Sequence, residues 1–462
     1  PRSDNPLRLS WWQDTVKARN KQTDKRQPQG IVATREPSND MYRLNSQNTQ
    51  LPFSHASTDT NATDKGTRQG NRATTSDINP GRNARHEWIA AFKHIFPIYL
   101  ATHLAFAMLT YLASLFSIKN FTSTALSPRT LLTAWDRWDS GQFVAIAMHG
   151  YSHRYHAAFF PLYPYLERFL GFVTGGPFIA GLIISNIAGL VLFMVLYRLV
   201  KDDFDENLAG RTVLYLAVFP TSFFLAAAYN ESLFLCLTLL SFYSLRGGRW
   251  WLTGIFGLLA ALTRSSGLFL LIPFCYEYLR QHQFRWKAIG FSVLSGLLIP
   301  LGVGIFAVYC FLHYHDALAF SHAQATWGRQ LQPPWMTFVD ALLVIKHYKF
   351  LSFNSIHTVL DFAACVLMLV LTILCFVGPW KFGKEKRAYA LYAAAFYLFL
   401  ILFPAENFPV QSISRQVIEI FPAFIVLALL GRRPNFNLYY LTIVGALLGF
   451  MLLQYLSGYW IV

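Results

Sequence analysis

Between residue 95 and the C-terminus the sequence keeps returning to apolar runs of near-membrane length, at 95–117, 178–200, 210–228, 231–245, 250–263, 266–279, 288–312, 356–378, 388–404, 416–430 and 437–459. An upright helix needs about 20 apolar residues to cross the hydrocarbon core, so this recurrence commits the chain to helices in lipid. Runs shorter than that are expected to be half-buried or packed against neighbours. Charge is scarce where the runs lie. Only 14% of the 462 residues are charged, against about 25% in soluble domains. Residues 1–85 hold 14 Lys and Arg and 8 Asp and Glu, leaving 25 and 16 for the remaining 377 residues.

The net charge of +15 follows topology rather than a nucleic-acid partner, because basic residues punctuate the apolar segments instead of lining one face. Take the N-terminal tail as cytoplasmic and 250–279 as two short helices. Four short loops on one side then collect Arg246 and Arg249; Arg280, Arg285 and Lys287; Lys381, Lys384, Lys386 and Arg387; and Arg432 and Arg433. Reading 250–279 as one helix would move most of them across. The expectation is therefore about 11 transmembrane helices, N-terminus inside and C-terminus outside. Two long outer segments result, 118–177 and 313–355, and compact loops of that size are usually functional.

Residues 1–85 are rich in Asn, Gln, Thr, Ser, Asp and Arg and lack a sustained apolar period, so they are expected to form a disordered basic tail. The patch from Leu7 to Lys21, with Trp11 and Trp12, reads either as a membrane-surface segment or as part of a solvated tail. The first long apolar run begins only near Ile95, so no cleavable leader is expected. Cys236, Cys275, Cys310, Cys365 and Cys375 all fall inside apolar runs without ligand spacing. They read as buried small hydrophobes.

Chemistry is expected in the outer segments. Leu131 to Met148 reads as an amphipathic helix, which would put Asp136 and Asp139 at i and i+3 on one face, each directly after a tryptophan, Trp135 and Trp138. A fixed, desolvated carboxylate at a bilayer surface suits a general base. The alternative is an ion pair with Arg137 or a helix cap. Downstream, His153 and His156 have i, i+3 spacing but no third metal ligand nearby. Phe159 to Pro164 reads as an aromatic anchor at headgroup level.

Glu231 opens an otherwise apolar helix behind Asn230, a functional candidate that also fits a capping role. Arg264 and Arg415 sit at the same outer level. Arg415 and Glu419 are i, i+4 and so are placed to pair. A fixed guanidinium there also suits a lipid phosphate. No P-loop and no GxGxxG occurs, so an activated donor would be membrane-borne, and a polyprenyl-phosphate sugar fits.

At these residues the chain resembles the PIG-V family, the second mannosyltransferases of glycosylphosphatidylinositol assembly, and their bacterial relatives among the GT-C glycosyltransferases. The resemblance rests on Arg137-Trp138-Asp139 followed by Phe143, His149-Gly150-Tyr151, the Phe-Phe-Pro-Leu-Tyr-Pro run at 159–164, and Tyr229 to Phe234. Leu262 to Ser265, Trp327-Gly328-Arg329 and Ser412 to Arg415 add to it, so that it covers about residues 90–460. It implies an all-α polytopic membrane protein of GT-C fold, with a catalytic first outer loop and a catalytic domain at 86–462. It also implies transfer from a polyprenyl-phosphate sugar with inversion, in a bacterial plasma membrane or, in a eukaryote, the endoplasmic reticulum.

The family's essential loop carboxylate maps onto Asp139, with Asp136 as its companion. From the physics of the reaction rather than the resemblance, Arg415, with Arg264 or Arg329, is expected to neutralise the charge growing on the donor phosphate, and Asp136 and Glu231 to orient sugar hydroxyls or Asp139. Trp138, His149, Tyr229, Asn230 and Glu231 are the candidate substrate contacts. The family carries Ser or Thr where this chain has Asn230. No metal ligand set is visible, and the resemblance leaves a divalent cation open. The acceptor is a glycolipid or another surface acceptor. The competing class is a polytopic transporter or lipid scramblase, for which intramembrane charges also mark a pathway. Two related halves are usual in transporters, and none is found here.

Overall fold

The computed structural model describes residues 80–115, 127–349, 352–406 and 408–459. The expected tail, with its Trp11–Trp12 patch, lies up to residue 79 outside the described residues. Among the described residues the chain is helical, and its single β-bridge joins Arg329 to Ala405. In chain order the helices are α1 (Pro80–Leu115), α2 (Pro128–Thr133), α3 (Asp139–His149), α4 (Leu162–Thr174), α5 (Pro177–Asp203) and α6 (Glu206–Ala217). Next come α7 (Glu231–Arg246), α8 (Trp250–Thr263), α9 (Leu271–Gln281), α10 (Leu298–Tyr314), α11 (Ala319–His322) and α12 (Pro334–His347). The last are α13 (Phe353–Leu374), α14 (Arg387–Leu402), α15 (Ile413–Gln416), α16 (Phe421–Leu430) and α17 (Pro434–Leu456).

Local chemistry sets the ends. The Ser127, Asp205 and Ser352 side chains accept the amides of Thr130, Leu208 and Ser355, which caps α2, α6 and α13. Gly175, at φ +89°, ends α4 in the left-handed region that glycine enters without strain.

The all-α polytopic class is the one expected. Five segments are long and apolar enough to cross a membrane, namely Arg85–Leu115, Pro177–Asp203, Phe291–Tyr314, Ser355–Leu374 and Pro434–Leu456. Ile413–Glu419 and Phe421–Leu430, bent by 86°, reach that length only when taken together, as a broken span or a re-entrant loop. The remaining expected spans are helical but shorter. The run 210–228 stays helical only to Ala217, because Pro220 follows and its neighbours turn into a 3₁₀ segment. The segment 250–279 breaks at Arg264, whose backbone is extended (φ −154°, ψ 144°), so it is not one continuous helix. Four of the five cysteines are buried, whereas Cys275 is exposed on α9, contrary to expectation.

Lipid offers no hydrophobic drive between helices, so close approach of small residues matters. A Cβ on Gly254 would lie 2.2 Å from the Ser295 carbonyl oxygen, and one on Gly302 2.5 Å from that of Leu258. Glycine there lets α8 press against α10 and the turn leading into it.

Charge collects at the two ends of α7. At its C-terminal end Arg246 meets Asp203 at 2.8 Å and Glu277 at 2.8 Å, and donates to the Glu385 carbonyl. Arg280 binds Glu277 and Arg432 binds Asp205. The basic loops counted from the sequence are therefore drawn together at one end. Glu231 opens the helix about 24 Å away, at 1.5 Å per residue.

Candidate active site

The expected helix from Leu131 to Met148 is interrupted. The chain leaves α2 at Thr133, turns through residues 134–138, and restarts at Asp139. Trp138 takes φ +51°, a conformation that L side chains rarely adopt. The surroundings over-determine this turn. Tyr455 donates to the Trp135 carbonyl and Tyr229 to that of Arg137, each at 2.9 Å. Arg137 in turn donates to the Leu456 carbonyl at 3.0 Å.

The two aspartates therefore do not share a helix face. Asp136 is exposed and accepts a bond from Ser140. Asp139 lies in the first turn of α3, where the helix dipole favours a carboxylate.

Asp139 begins a chain of ion pairs. Its Oδ2 is 2.7 Å from Nη1 of Arg415, whose Nε is 3.2 Å from Glu231 Oε1. That same oxygen lies 3.1 Å from Nη1 of Arg264, which reaches Glu419 Oε1 at 2.6 Å. The expected pair of Arg415 with Glu419 is thus replaced: Glu419 goes to Arg264. The reason is geometric, since after α15 the chain tightens into a 3₁₀ turn and then bends. Charges this deep persist because each has a partner. Arg415 also lies 5.4 Å from the Phe224 ring centroid and 5.5 Å from that of Tyr229.

Arg329 differs. It donates to the carbonyls of Phe403 and Gln411, each at 3.1 Å, and none of the ion pairs among the described residues includes it. Burial first, then the positive charges of Arg415 and Arg264, lower its pKa to about 10. An anion beside it would relieve that repulsion.

These groups face a cavity of about 620 Å³. Asp139, Arg264, Arg329 and Arg415 are among its charged lining residues. One wing is apolar, with Leu268, Phe269, Phe396, Phe399, Leu400 and Phe403. The other is aromatic, with Phe143, Phe159, Phe320 and Trp327. Phe159 packs edge-to-face on Phe143 at 5.2 Å and on Trp327 at 5.8 Å. Phe159 and Phe160 of the run at 159–164 are therefore cavity wall.

Of the other expected residues, Asn230 lines the cavity and donates to the Thr263 carbonyl instead of capping α7. Tyr229 is buried beside Arg415 and holds the turn before Asp139 through the Arg137 carbonyl. Trp138 is 42% exposed on that turn. His149 is exposed at the far end of α3 and is not among the cavity-lining residues. His153 and His156 sit 5.2 Å apart, ring to ring, and among the described residues no three His, Cys, Asp or Glu side chains assemble as a metal site. Asp361 and Gln411 belong to the surroundings of the site but not to the expected set. A carboxylate in the middle of the apolar run 356–378 is the signal that points to Asp361.

Residues 156–310 match the family described as dolichyl-phosphate-mannose-protein mannosyltransferase. The GPI alpha-1,6-mannosyltransferase 2 of Cricetulus griseus is 32% identical over 207 residues, 40% of this chain and 42% of the relative. The GPI mannosyltransferase 2 of Schizosaccharomyces pombe is 30% identical over 151 residues, 32% of each chain. That of Yarrowia lipolytica is 27% identical over 256 residues, 54% of this chain and 68% of the relative. The chain thus spans less than half the length of the first two of these curated relatives.

Two solved structures are similar in part. The oligosaccharyltransferase of Archaeoglobus fulgidus in the apo form matches 79% of this chain and 56% of its own, at TM-score 0.39 and 11% identity. ArnT from Cupriavidus metallidurans bound to undecaprenyl phosphate matches 71% and 76%, at TM-score 0.36 and 12% identity. Motifs and sequence matches agree on one point: this multi-pass membrane chain is similar, over part of its length, to the GPI mannosyltransferase 2 proteins.

Proposed function

We propose that this chain is a GT-C glycosyltransferase that moves a mannose, or a similar hexose, from a polyprenyl-phosphate donor to a lipid-linked or cell-surface acceptor with inversion at the anomeric carbon. The observation that carries the reading is the cavity itself. A carboxylate at a helix N-terminus faces three guanidiniums, one of which, Arg329, binds only carbonyls within the described ion-pair and hydrogen-bond network. The same cavity is lined by the apolar side chains of Leu268, Phe269, Phe396, Phe399, Leu400 and Phe403, as an isoprenoid chain requires.

In this reading the acceptor hydroxyl enters along the aromatic wing and attacks C1 of the donor sugar. Asp139 takes the hydroxyl proton as the C1–O bond to phosphate breaks. Polyprenyl phosphate leaves with one more negative charge than it had as the diester. Arg329 meets that growing charge, and Arg415 shares it while keeping Asp139 aimed. Glu231 and Glu419 hold Arg415 and Arg264 in place, and Asn230 faces the sugar. Trp138, exposed on the turn before Asp139, contacts the acceptor. Asp136, exposed and outside the cavity lining, takes no part in proton transfer. The catalytic work belongs to residues 86–462, and the tail is dispensable for it.

The test is incubation of purified protein with polyprenyl-phosphate mannose and a membrane lipid extract, followed by mass analysis of the products. A new hexose-bearing acceptor should appear with wild type and be lost with Asp139→Asn, a change worth about 10²–10⁴ in rate for a general base. Near-wild-type turnover in that variant, or no product from any lipid-phosphate sugar, would sink the proposal.

A further inference from the structure

Arg415 is carried by a helix of only four residues, Ile413–Gln416, entered through Ser412 at φ +64° and left through a 3₁₀ turn and an 86° bend. Such a short element cannot fix a side chain by its own hydrogen bonds, because nearly all its amides and carbonyls are end groups. Two bonds from distant parts of the chain supply what it lacks. The Ser414 amide donates to Oδ1 of Asp361, 53 residues earlier on α13, at 3.1 Å. The Ser414 carbonyl accepts from the Thr221 hydroxyl, in the turn after α6, at 2.6 Å. Both partners are buried, Asp361 at 6% exposure and Thr221 at 0%. The residue immediately before Arg415 is therefore gripped from both sides.

We propose that Asp361 and Thr221 are positioning residues that clamp the Ser414 backbone and so aim Arg415 at Asp139 and the donor phosphate. Neither reaches the reacting atoms. A carboxylate in an apolar helix is expensive unless it is used. Here its oxygen takes a backbone donor that the short helix leaves open. The clamp rests on the transferase reading for its catalytic consequence but not for its existence.

Two readouts separate these. Hydrogen exchange of the peptide covering 412–416 reports the clamp, and transfer from polyprenyl-phosphate mannose reports its use. Asp361→Asn keeps an acceptor oxygen in place, so slow exchange and a kcat within about threefold of wild type are expected. Asp361→Ala removes the acceptor. It should speed exchange at 412–416 and lower kcat by about 10²-fold, the scale for a catalytic group displaced by about 1 Å. The donor KM should stay within about threefold. Thr221→Val, which takes the grip from the opposite side at constant shape, should give the same split and serves if Asp361→Ala fails to fold.

Fast exchange with undiminished kcat in either Asp361→Ala or Thr221→Val would overturn the aiming role. Asp361→Asn as damaged as Asp361→Ala, with exchange still slow, would overturn it too, because the charge and not the bond would then matter. Wild type that transfers nothing sinks the transferase reading instead, and the exchange rates alone then decide the clamp.

Discussion

Removing Arg264 should unfold the centre of the site rather than merely weaken substrate binding. Its Nη1 is the described ion-pair partner of Glu419, at 2.6 Å, and one of two for Glu231, at 3.1 Å. The two carboxylate side chains are 0% and 1% exposed. In Arg264→Met, Glu419 loses that partner and Glu231 keeps only Arg415, at 3.2 Å. Breaking a buried pair in this way costs about 3–5 kcal/mol, since a buried charge is left uncompensated. Glu419→Gln is milder, because Arg264 still has Glu231; the loss is one charge-assisted bond, about 1.5–3 kcal/mol. The double variant removes the orphan along with its partner, so it should be more stable than Arg264→Met alone. Unfolding by sodium dodecyl sulfate in mixed micelles, monitored by tryptophan fluorescence, measures all three and closes a double-mutant cycle. Arg264→Met costing under about 1 kcal/mol, the level of an exposed pair, would refute the argument. So would strict additivity of the two substitutions.

Three further outcomes follow from the same geometry. Arg415→Lys keeps a charge but cannot span Asp139 and Glu231 together, so donor use should fall by about 10²-fold while acceptor affinity holds, as a donor titration against Glu419→Gln will show; equal, modest losses in both would remove Arg415 from the site. Gly254→Ala should destabilise by about 1–3 kcal/mol in the same unfolding assay, because its Cβ would meet a backbone oxygen at 2.2 Å; an unchanged midpoint contradicts the close approach. His156, buried in the outer segment, has its pKa lowered to about 4 by burial first and then by His153. Its contribution is therefore complete above the unfolded value near 6.5 and lost as pH falls through about 4. Hydrogen exchange around residues 152–160 should quicken on acidification in wild type and not in His156→Leu, and matching profiles would exclude His156 as the cause.

The apolar runs by themselves determined that the chain is a helical membrane protein, because lipid tolerates backbone only when its hydrogen bonds close within the segment. They also pointed to Glu231, Arg264 and Arg415, since charges in or beside such runs persist only when paired or used, while Asp139 came from the first outer segment and Arg329 only through the family resemblance. Pairing was beyond their reach. Spacing along one helix joined Arg415 to Glu419 and Asp136 to Asp139, and the structure joins neither, because a left-handed Trp138 and the bend after α15 break the helical register on which that spacing depends. The partners that matter lie 276 residues apart for Asp139 and Arg415, and 155 apart for Arg264 and Glu419. Which carboxylate meets which guanidinium is settled by how α3, α7, the break at Arg264 and the turn at Ser412 converge on one cavity, and a one-dimensional pattern carries no term for that convergence.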